Sequence, residues 1–184
     1  MKICVLGFGH VGSQLARLWT AAGHRLLAGL RTCSKHIDAA QKLGIEILEP
    51  RLAIQDAEVI ALALPWQSVD VALHSLGPLN GQILIDATNP INSDLNVIVP
   101  GPGSGGQQIA AWFPKARVVK AFNTIGATYL GNTAFDIYYC SDDPEAAGVT
   151  HHLIEDFRLQ PSEGTWSLNI SAITSPAKRG AMNW

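Results

Sequence analysis

Short apolar runs alternate with amphipathic stretches along almost the whole chain. The apolar runs predict buried strands at residues 3–6, 25–30, 45–48, 58–64, 82–86, 117–122, 135–140 and 158–161. The stretches between them predict helices at residues 11–22, 50–55, 66–76 and 107–113, with two more that run from a Ser34 cap to residue 43 and from an Asp143 cap to about residue 157. This alternation is typical of an α/β fold with a doubly wound, mostly parallel sheet and right-handed crossovers.

The first predicted strand runs directly into a glycine-rich turn that opens a helix. The turn has the pattern G-x-G-x-x-G and consists of Gly7, Phe8, Gly9, His10, Val11 and Gly12. The first glycine permits the tight turn, the second lets a pyrophosphate approach the backbone, and the third lets the helix pack closely on the strand. The helix directs unpaired N–H groups toward phosphates. This order predicts a Rossmann dinucleotide site; a purely structural glycine turn is the alternative.

The second predicted strand ends without the acidic residue that holds the ribose hydroxyls of NAD. No Asp or Glu occurs from residue 25 to residue 36, and the strand is followed by two cations and two hydroxyls, Arg31, Thr32, Ser34 and Lys35. An arginine at this place accommodates the 2′-phosphate of NADP, because its planar fork matches phosphate oxygens. The sequence therefore favours NADP over NAD, with an exposed basic loop as the alternative.

Three segments that follow apolar strands are expected to line a crevice at the carboxyl edge of the sheet. They span residues 64–66, 86–90 and 120–125 and include Leu64, Pro65, Ala87, Asn89, Pro90, Asn123, Thr124 and Ile125. No acid–base pair or set of metal ligands stands out, so neither a catalytic residue nor a metal is predicted. Asp86 is interpreted as bonding amides of its own turn. Lys120 either neutralises a carboxylate or phosphate, or is a solvated strand end.

The composition restricts the possible partners. The chain has 184 residues and a net charge of −2 without a basic tract, which does not favour nucleic acid or a membrane surface as partner. We expect one domain over residues 1–184, with a smaller C-terminal α/β extension from about residue 135. The scattered Cys4, Cys33 and Cys140 favour reduced thiols and a cytoplasmic location. Neither a signal peptide nor a membrane span is expected.

Several motifs together carry a family resemblance over about residues 1–165. In chain order they are Gly7-x-Gly-x-x-Gly12, Gly29-x-Arg31 with Lys35, Ala63-Leu-Pro-Trp66, Asp86-Ala-Thr-Asn-Pro90, Val118-Val-Lys-Ala-Phe-Asn-Thr124 and Cys140-Ser-Asp-Asp143. With them the chain resembles the F420-dependent NADP oxidoreductases, a family also used as the cytosolic domain of the STEAP metalloreductases.

The resemblance implies a binding mode for NADP. The coenzyme would lie across residues 8–11, with its 2′-phosphate held by Arg31, Thr32 and Lys35. The ribose–nicotinamide half would pack on Leu64 and Pro65. Residues 120–125 would run beside the nicotinamide and the second ring, and the Asn89-Pro90 turn would form part of the pocket floor. The resemblance also implies direct hydride transfer between stacked rings, and a homodimer.

Three functions follow from these observations. The first is an NADP(H)-dependent oxidoreductase that exchanges hydride with a flavin-like ring, with F420 as second substrate and FMN, FAD or ferric chelates as fallback acceptors. The second is an NADP(H)-binding regulator without turnover, favoured by the missing acid–base residues and by a polar C-terminus, broken at Pro176, where relatives continue into a leucine-rich helix. A dehydrogenase of the hydroxyisobutyrate type is disfavoured, because too few residues remain for its helical second domain.

Overall fold

A computed structural model of the protein describes residues 1–31, 36–92, 94, 96, 98 and 103–164. The strands are β1 (Lys2–Leu6), β2 (Arg25–Gly29), β3 (Glu46–Leu48), β4 (Val59–Leu62), β5 (Ile83–Asp86), β6 (Arg117–Ala121), β7 (Asp136–Cys140) and β8 (Gln160–Glu163). The α-helices are α1 (His10–Ala21), α2 (Ile37–Lys42), α3 (Pro50–Ala53), α4 (Trp66–Leu76), α5 (Gly105–Trp112) and α6 (Pro144–Glu155). A 3-10 helix at Ala127–Tyr129, which the sequence pattern does not indicate, follows β6.

The eight strands form one sheet in the order β3-β2-β1-β4-β5-β6-β7-β8. Strand order reverses between β1 and β4, which opens a crevice at their carboxyl ends. All neighbouring strands run parallel except β6 and β7, which pair antiparallel. The doubly wound, mostly parallel Rossmann sheet predicted from the sequence is confirmed. The antiparallel pair arises because the connection from β6 to β7 holds a 3-10 helix but no crossover helix, which a parallel return needs.

The core has two layers because both faces of the sheet are covered by helices. Successive side chains of β1 point to opposite faces: Ile3 and Val5 pack with α1 and α6, whereas Cys4 and Leu6 pack with α3, α4 and α5. Burial on both faces explains why the strands read as continuous apolar runs. Burial also raises the pKa of the Cys4 thiol to about 12, which leaves this thiol unreactive. None of the described helices is both long and apolar enough for a bilayer.

A cluster of aromatic rings holds the end of β6 in place. The Trp19 ring lies 5.7 Å from that of Phe122 and 5.4 Å from that of Phe157, and its indole N–H donates to the Leu153 carbonyl at 3.1 Å. Phe122 has a φ of 62°, a left-handed conformation that is uncommon for a bulky residue. Packing of this ring therefore fixes the sharp turn that leads from β6 toward the crevice.

Two helix starts differ from the sequence prediction by two residues or more. The helix predicted from residue 107 begins at Gly105, because the Ser104 hydroxyl accepts the Gln107 amide and the Gln107 side chain accepts the Ser104 amide. This reciprocal capping box stabilises the turn despite its two glycines. Helix α2 begins at Ile37 with His36 at its N-cap and no side-chain cap bond, so the expected start at Ser34 is wrong; Ser34 itself lies outside the described residues.

The predicted cap of α6 is present. Asp143 accepts the Ala146 amide at 2.9 Å, and Pro144 follows at the first helical position. The Asp143 carboxylate also forms a two-bonded ion pair with Arg117, with N–O distances of 2.6 and 2.9 Å. The Arg117 guanidinium first, and then the Ala146 amide, hold the pKa of Asp143 below its ordinary value of 3.8.

This lowered pKa predicts a pH-dependent contribution to stability. A carboxyl group with a depressed folded-state pKa stabilises the fold above its unfolded pKa, and this contribution is lost as pH falls through the folded-state value. Asp143→Ala should therefore cost about 1–2 kcal/mol of unfolding free energy at pH 7, and the difference from wild type should shrink below about pH 4. Asp143→Asn, which keeps the cap, should cost less. Urea unfolding at pH 7 and pH 3 measures this; a difference independent of pH would contradict it.

Candidate functional site

A cleft of ≈ 770 Å³ lies at the carboxyl ends of β1, β4 and β5. It is lined by Gly9, His10, Val11, Ala63, Leu64, Pro65, Trp66, Gln67, Ala87, Thr88, Asn89, Ile91, Asn92, Ala127 and Thr128. Among the described residues of this lining, His10 has the only ionisable side chain; the others are apolar or carry amides, hydroxyls or an indole N–H. The volume is within the range of about 300–1,000 Å³ that is usual for ligand sites. Among the described residues, no group of three metal-ligating side chains is close enough to hold a metal ion.

The three glycines of the first turn have different surroundings. A Cβ at Gly7, which has a φ of +92°, would lie 2.5 Å from the Ala63 carbonyl oxygen, and a Cβ at Gly12 would overlap the Gly7 carbonyl. A Cβ at Gly9 would meet no atom within 4 Å, and Gly9 is itself part of the lining of the cleft. Gly7 and Gly12 thus allow close packing of strand and helix, whereas Gly9 leaves bare backbone at the N-terminus of α1. This arrangement fits a pyrophosphate.

A smaller cavity of ≈ 80 Å³ lies beside the ends of β1 and β2. It is lined by Leu6, Gly7, Gly29, Leu30, Arg31, Pro50, Leu64, Ala72, Ser75 and Leu76. Leu64 lines both cavities, so the small cavity beside Arg31 and the large cleft adjoin at this side chain. Arg31 is exposed, and its guanidinium has no ion-pair partner among the described residues. Thr32 and Lys35, the other predicted phosphate ligands, lie outside the described residues.

Asp86 and Lys120 form a buried ion pair beneath the cleft wall. The Lys120 Nζ lies 2.8 Å from Asp86 Oδ2, and the two side chains are 6% and 0% exposed. Asp86 Oδ1 accepts the Thr88 amide at 2.9 Å and the Thr88 hydroxyl at 2.7 Å. Asp86 therefore bonds its own turn, as interpreted from the sequence. The solvated strand end considered for Lys120 is wrong; its ammonium neutralises a carboxylate of the chain itself.

Four of the five predicted pocket residues do not belong to the lining of the cleft, namely Pro90, Asn123, Thr124 and Ile125. Asn123 is 1% exposed, and its carbonyl accepts the Asn89 side-chain amide at 3.0 Å. Ile125 packs in the core, as does Phe8 of the glycine turn, and Pro90 packs against the start of α5. Several buried polar atoms have no partner among the described residues: Asn89 Oδ1, both side-chain polar atoms of Asn123, and Thr124 Oγ1. Such groups are usually bonded, so these are available for a ligand or water.

Several residues of the lining are not predicted from the sequence. They are Gln67, Ile91, Asn92, Ala127 and Thr128. The Gln67 side chain donates to the Ile91 carbonyl at 3.1 Å and so joins the start of α4 to the segment after β5. Ala127 and Thr128 belong to the 3-10 helix. Except for Gln67, these residues lie outside the α-helices and strands, in segments without apolar periodicity. The available signal is that they follow strands ending at this edge of the sheet.

The comparison with known proteins identifies the family. A family model described as NADP oxidoreductase coenzyme F420-dependent matches residues 2–90. The F420-dependent NADP reductase of Methanothermobacter marburgensis is 34% identical over 178 residues, an alignment that covers 84% of this chain and 79% of that protein. The chain belongs to the F420-dependent NADP oxidoreductase family. It is an NADP-dependent oxidoreductase, and the resemblance drawn from its motifs is confirmed.

A further protein matches this chain in sequence, and two solved structures match it in fold. Metalloreductase STEAP3 from Rattus norvegicus is 27% identical over 164 residues, which cover 87% of this chain but 33% of that protein. A putative F420-dependent NADP-reductase from Arthrobacter sp. FB24 superposes with a TM-score of 0.82 at 23% identity, covering 96% of this chain and 91% of that one. A reductive aminase from Aspergillus terreus superposes with a TM-score of 0.73 at 15% identity, covering 94% and 58%. The two superpositions show a common fold alone.

Proposed function

We propose that this oxidoreductase exchanges hydride between NADP(H) and the deazaflavin ring of coenzyme F420 in the large cleft. The observation that carries the proposal is the cleft itself, which has the volume of a ligand site and in which His10 is the one ionisable side chain among the described lining residues. Oxidation of an alcohol needs a positioned base, whereas hydride exchange between two rings needs mainly their alignment. The F420-dependent name of the M. marburgensis relative supports the acceptor.

The residues around the two cavities suit the separate parts of NADP(H). Bound NADPH supplies the hydride from its nicotinamide ring. The backbone of residues 7–12 would hold the pyrophosphate, and Arg31, with Thr32 and Lys35, the 2′-phosphate. Leu64 and Pro65 would pack on the ribose–nicotinamide half, with Ala87 and Asn89 forming the wall beside it. Leu64 lines both cavities, so it would lie near the middle of the extended coenzyme.

The rim of the cleft is shaped to limit water. Trp66 is half-buried and stacks on Trp112, with ring centroids 6.2 Å apart. Beside Trp66, the Gln67 side chain donates to the Ile91 carbonyl, and both residues line the cleft. Exclusion of water from a hydride-transfer site prevents side reactions. These residues would therefore favour a dry contact between the two rings.

NADPH oxidation measured with F420, FMN and ferric citrate side by side tests the proposal. We expect turnover with F420, faster than with either fallback acceptor, and faster with NADPH than with NADH. Faster turnover with FMN would show that the acceptor is a free flavin. No turnover with any acceptor, in protein that binds NADPH, would contradict hydride transfer and favour the regulatory alternative.

The unpartnered amide of Asn123 predicts opposite effects on stability and activity. Leucine has a similar shape, and replacing a buried polar group without partners by an apolar group is neutral or stabilising by up to about 1 kcal/mol. Asn123→Leu should therefore keep or raise the thermal midpoint, while turnover falls more than NADPH affinity. Thermal unfolding, NADPH titration and steady-state kinetics measure the three quantities. Equal losses of turnover and affinity would show that Asn123 only holds the coenzyme.

Three further expectations stay predictions. They are a homodimer, which the family resemblance implies, a cytoplasmic location, and one domain over residues 1–184 with an extension from about residue 135. Strands β7 and β8 of this extension continue the same sheet, and helix α6 connects them. Residues 165–184 lie outside the described part of the chain.

A further inference from the structure

The buried ion pair beneath the cleft connects two neighbouring strand ends. Asp86 and Lys120 are direct partners in the β5–β6 ladder, and Lys120 as a whole residue is 4% exposed. The ladder already joins the two strands through the backbone. A buried ion pair is weak evidence for stability, because an apolar pair of similar size often serves as well or better. The charges therefore need a reason other than holding β5 to β6.

All polar groups of Thr88 form hydrogen bonds. Its amide and its hydroxyl donate to Asp86 Oδ1, and its carbonyl oxygen accepts a hydrogen bond from Lys120 Nζ. Thr88 lines the large cleft, between Ala87 and Asn89, which line it too. The Asn89 amide is bonded in turn to the Asn123 carbonyl after β6. The wall segment 87–89 thus cannot shift without breaking bonds to β6.

We propose that Lys120 is a positioning residue for hydride transfer, which acts through the Thr88 carbonyl to fix the 87–89 wall of the cleft. Lys120 does not line the cleft, so it touches neither ring. The inference rests on the proposed function in that the fixed wall is the one beside the nicotinamide. The rate of hydride transfer depends strongly on the alignment of the reacting atoms, since a displacement of about 1 Å can lower a rate by about 100-fold.

A matched pair of double variants isolates the bond to Thr88. Asp86→Asn/Lys120→Met removes both charges and the donor, whereas Asp86→Asn/Lys120→Gln removes the charges and keeps a donor. In both, Asn at position 86 can still accept from Thr88. With F420 as acceptor, the Met variant should lose about 10–100-fold in kcat with NADPH affinity within about threefold. Its isotope effect on kcat/KM with [4,4-²H₂]NADPH should rise, and the Gln variant should lie closer to wild type.

A merely structural role gives a different result. Loss of folded protein lowers kcat but leaves KM and the isotope effect unchanged, and that outcome would overturn the proposal. Identical kinetics for the Met and Gln variants would also overturn it. If wild type does not reduce F420, the proposed function fails. In that case the fluorescence lifetime of bound NADPH tests whether Lys120 positions the cleft wall. The lifetime should differ between the Met and Gln variants, and equal lifetimes overturn the inference.

Wild-type protein gives a second test, should the Met variant not fold. The Thr88 amide should exchange with deuterium as slowly as the amides of β5, because Asp86 holds it in a buried network. Exchange at the rate of an exposed turn would show that the wall is not fixed and would overturn the inference.

Discussion

Gly12→Ala should lower the unfolding free energy by about 2–4 kcal/mol, on the scale of severe overpacking. The added Cβ would overlap the Gly7 carbonyl oxygen and lie 3.2 Å from the Ala63 Cβ. Helix propensity alone predicts the opposite sign, since alanine is favoured over glycine inside a helix by about 1 kcal/mol. The contact should dominate because the nearest opposing atoms are the backbone carbonyl of Gly7, which cannot move without shifting the turn that follows β1. Urea unfolding measures the outcome.

Gly9→Ala is the matched control in the same turn. Gly9 has a φ of −74°, which alanine adopts without strain, and its Cβ would meet nothing within 4 Å. Its unfolding free energy should stay within about 0.5 kcal/mol of wild type, while NADPH binding weakens by at least about tenfold, or about 1.4 kcal/mol. Undiminished NADPH affinity would show that the pyrophosphate does not cross Gly9. A Gly12→Ala protein as stable as wild type would remove the close-packing argument.

Arg31→Glu should weaken NADPH binding by at least about 1.5–3 kcal/mol, the scale of a hydrogen bond to a charged group. Arg31 is exposed beside the small cavity and has no ion-pair partner among the described residues, so its loss breaks no contact that holds the fold. NADH carries no 2′-phosphate, and its affinity should change much less. Calorimetric titration with both coenzymes measures the two affinities.

Arg25→Glu provides the control for net charge. Arg25 lies at the other end of β2 and makes an exposed 3.5 Å ion pair with Glu46, which contributes little to stability. The Arg25→Glu variant changes the net charge by the same amount as Arg31→Glu, but at a position far from the proposed site of the 2′-phosphate. Equal losses of NADPH affinity in the two variants would indicate a long-range field effect and not a contact with the 2′-phosphate. An unchanged affinity in Arg31→Glu would remove the argument from this loop.

Local signals in the sequence predicted most of the fold. Asp143 with Pro144 marks the start of α6, and α4 lies at the predicted residues, because a proline precedes it and a turn glycine ends it. The late start predicted for α5 came from counting Gly105 and Gly106 as loop, whereas the capping box of Ser104 stabilises a helix through them. The reversal at β7 could not be predicted from its own residues, since direction depends on the preceding connection.

The candidate site was predictable in part. The glycine turn and the segments after β4 and β5 line the cleft because the carboxyl ends of parallel strands meet at one edge. The burial of Lys120 was not predictable, because it depends on the register that places Asp86 directly opposite. Nor did the sequence indicate that Ala127 and Thr128 would reach the cleft. Their segment has no periodicity, and its path follows from the antiparallel return of β7.

The antiparallel return of β7 has an evolutionary consequence. The connection between Ala121 and Asp136 starts at the carboxyl end of β6, and its Ala127 and Thr128 line the cleft together with the glycine turn. Insertions or deletions around Ala127 and Thr128 would reshape this side of the cleft without altering the glycine turn. One scaffold can thus diversify its redox partners while it inherits the same electron donor.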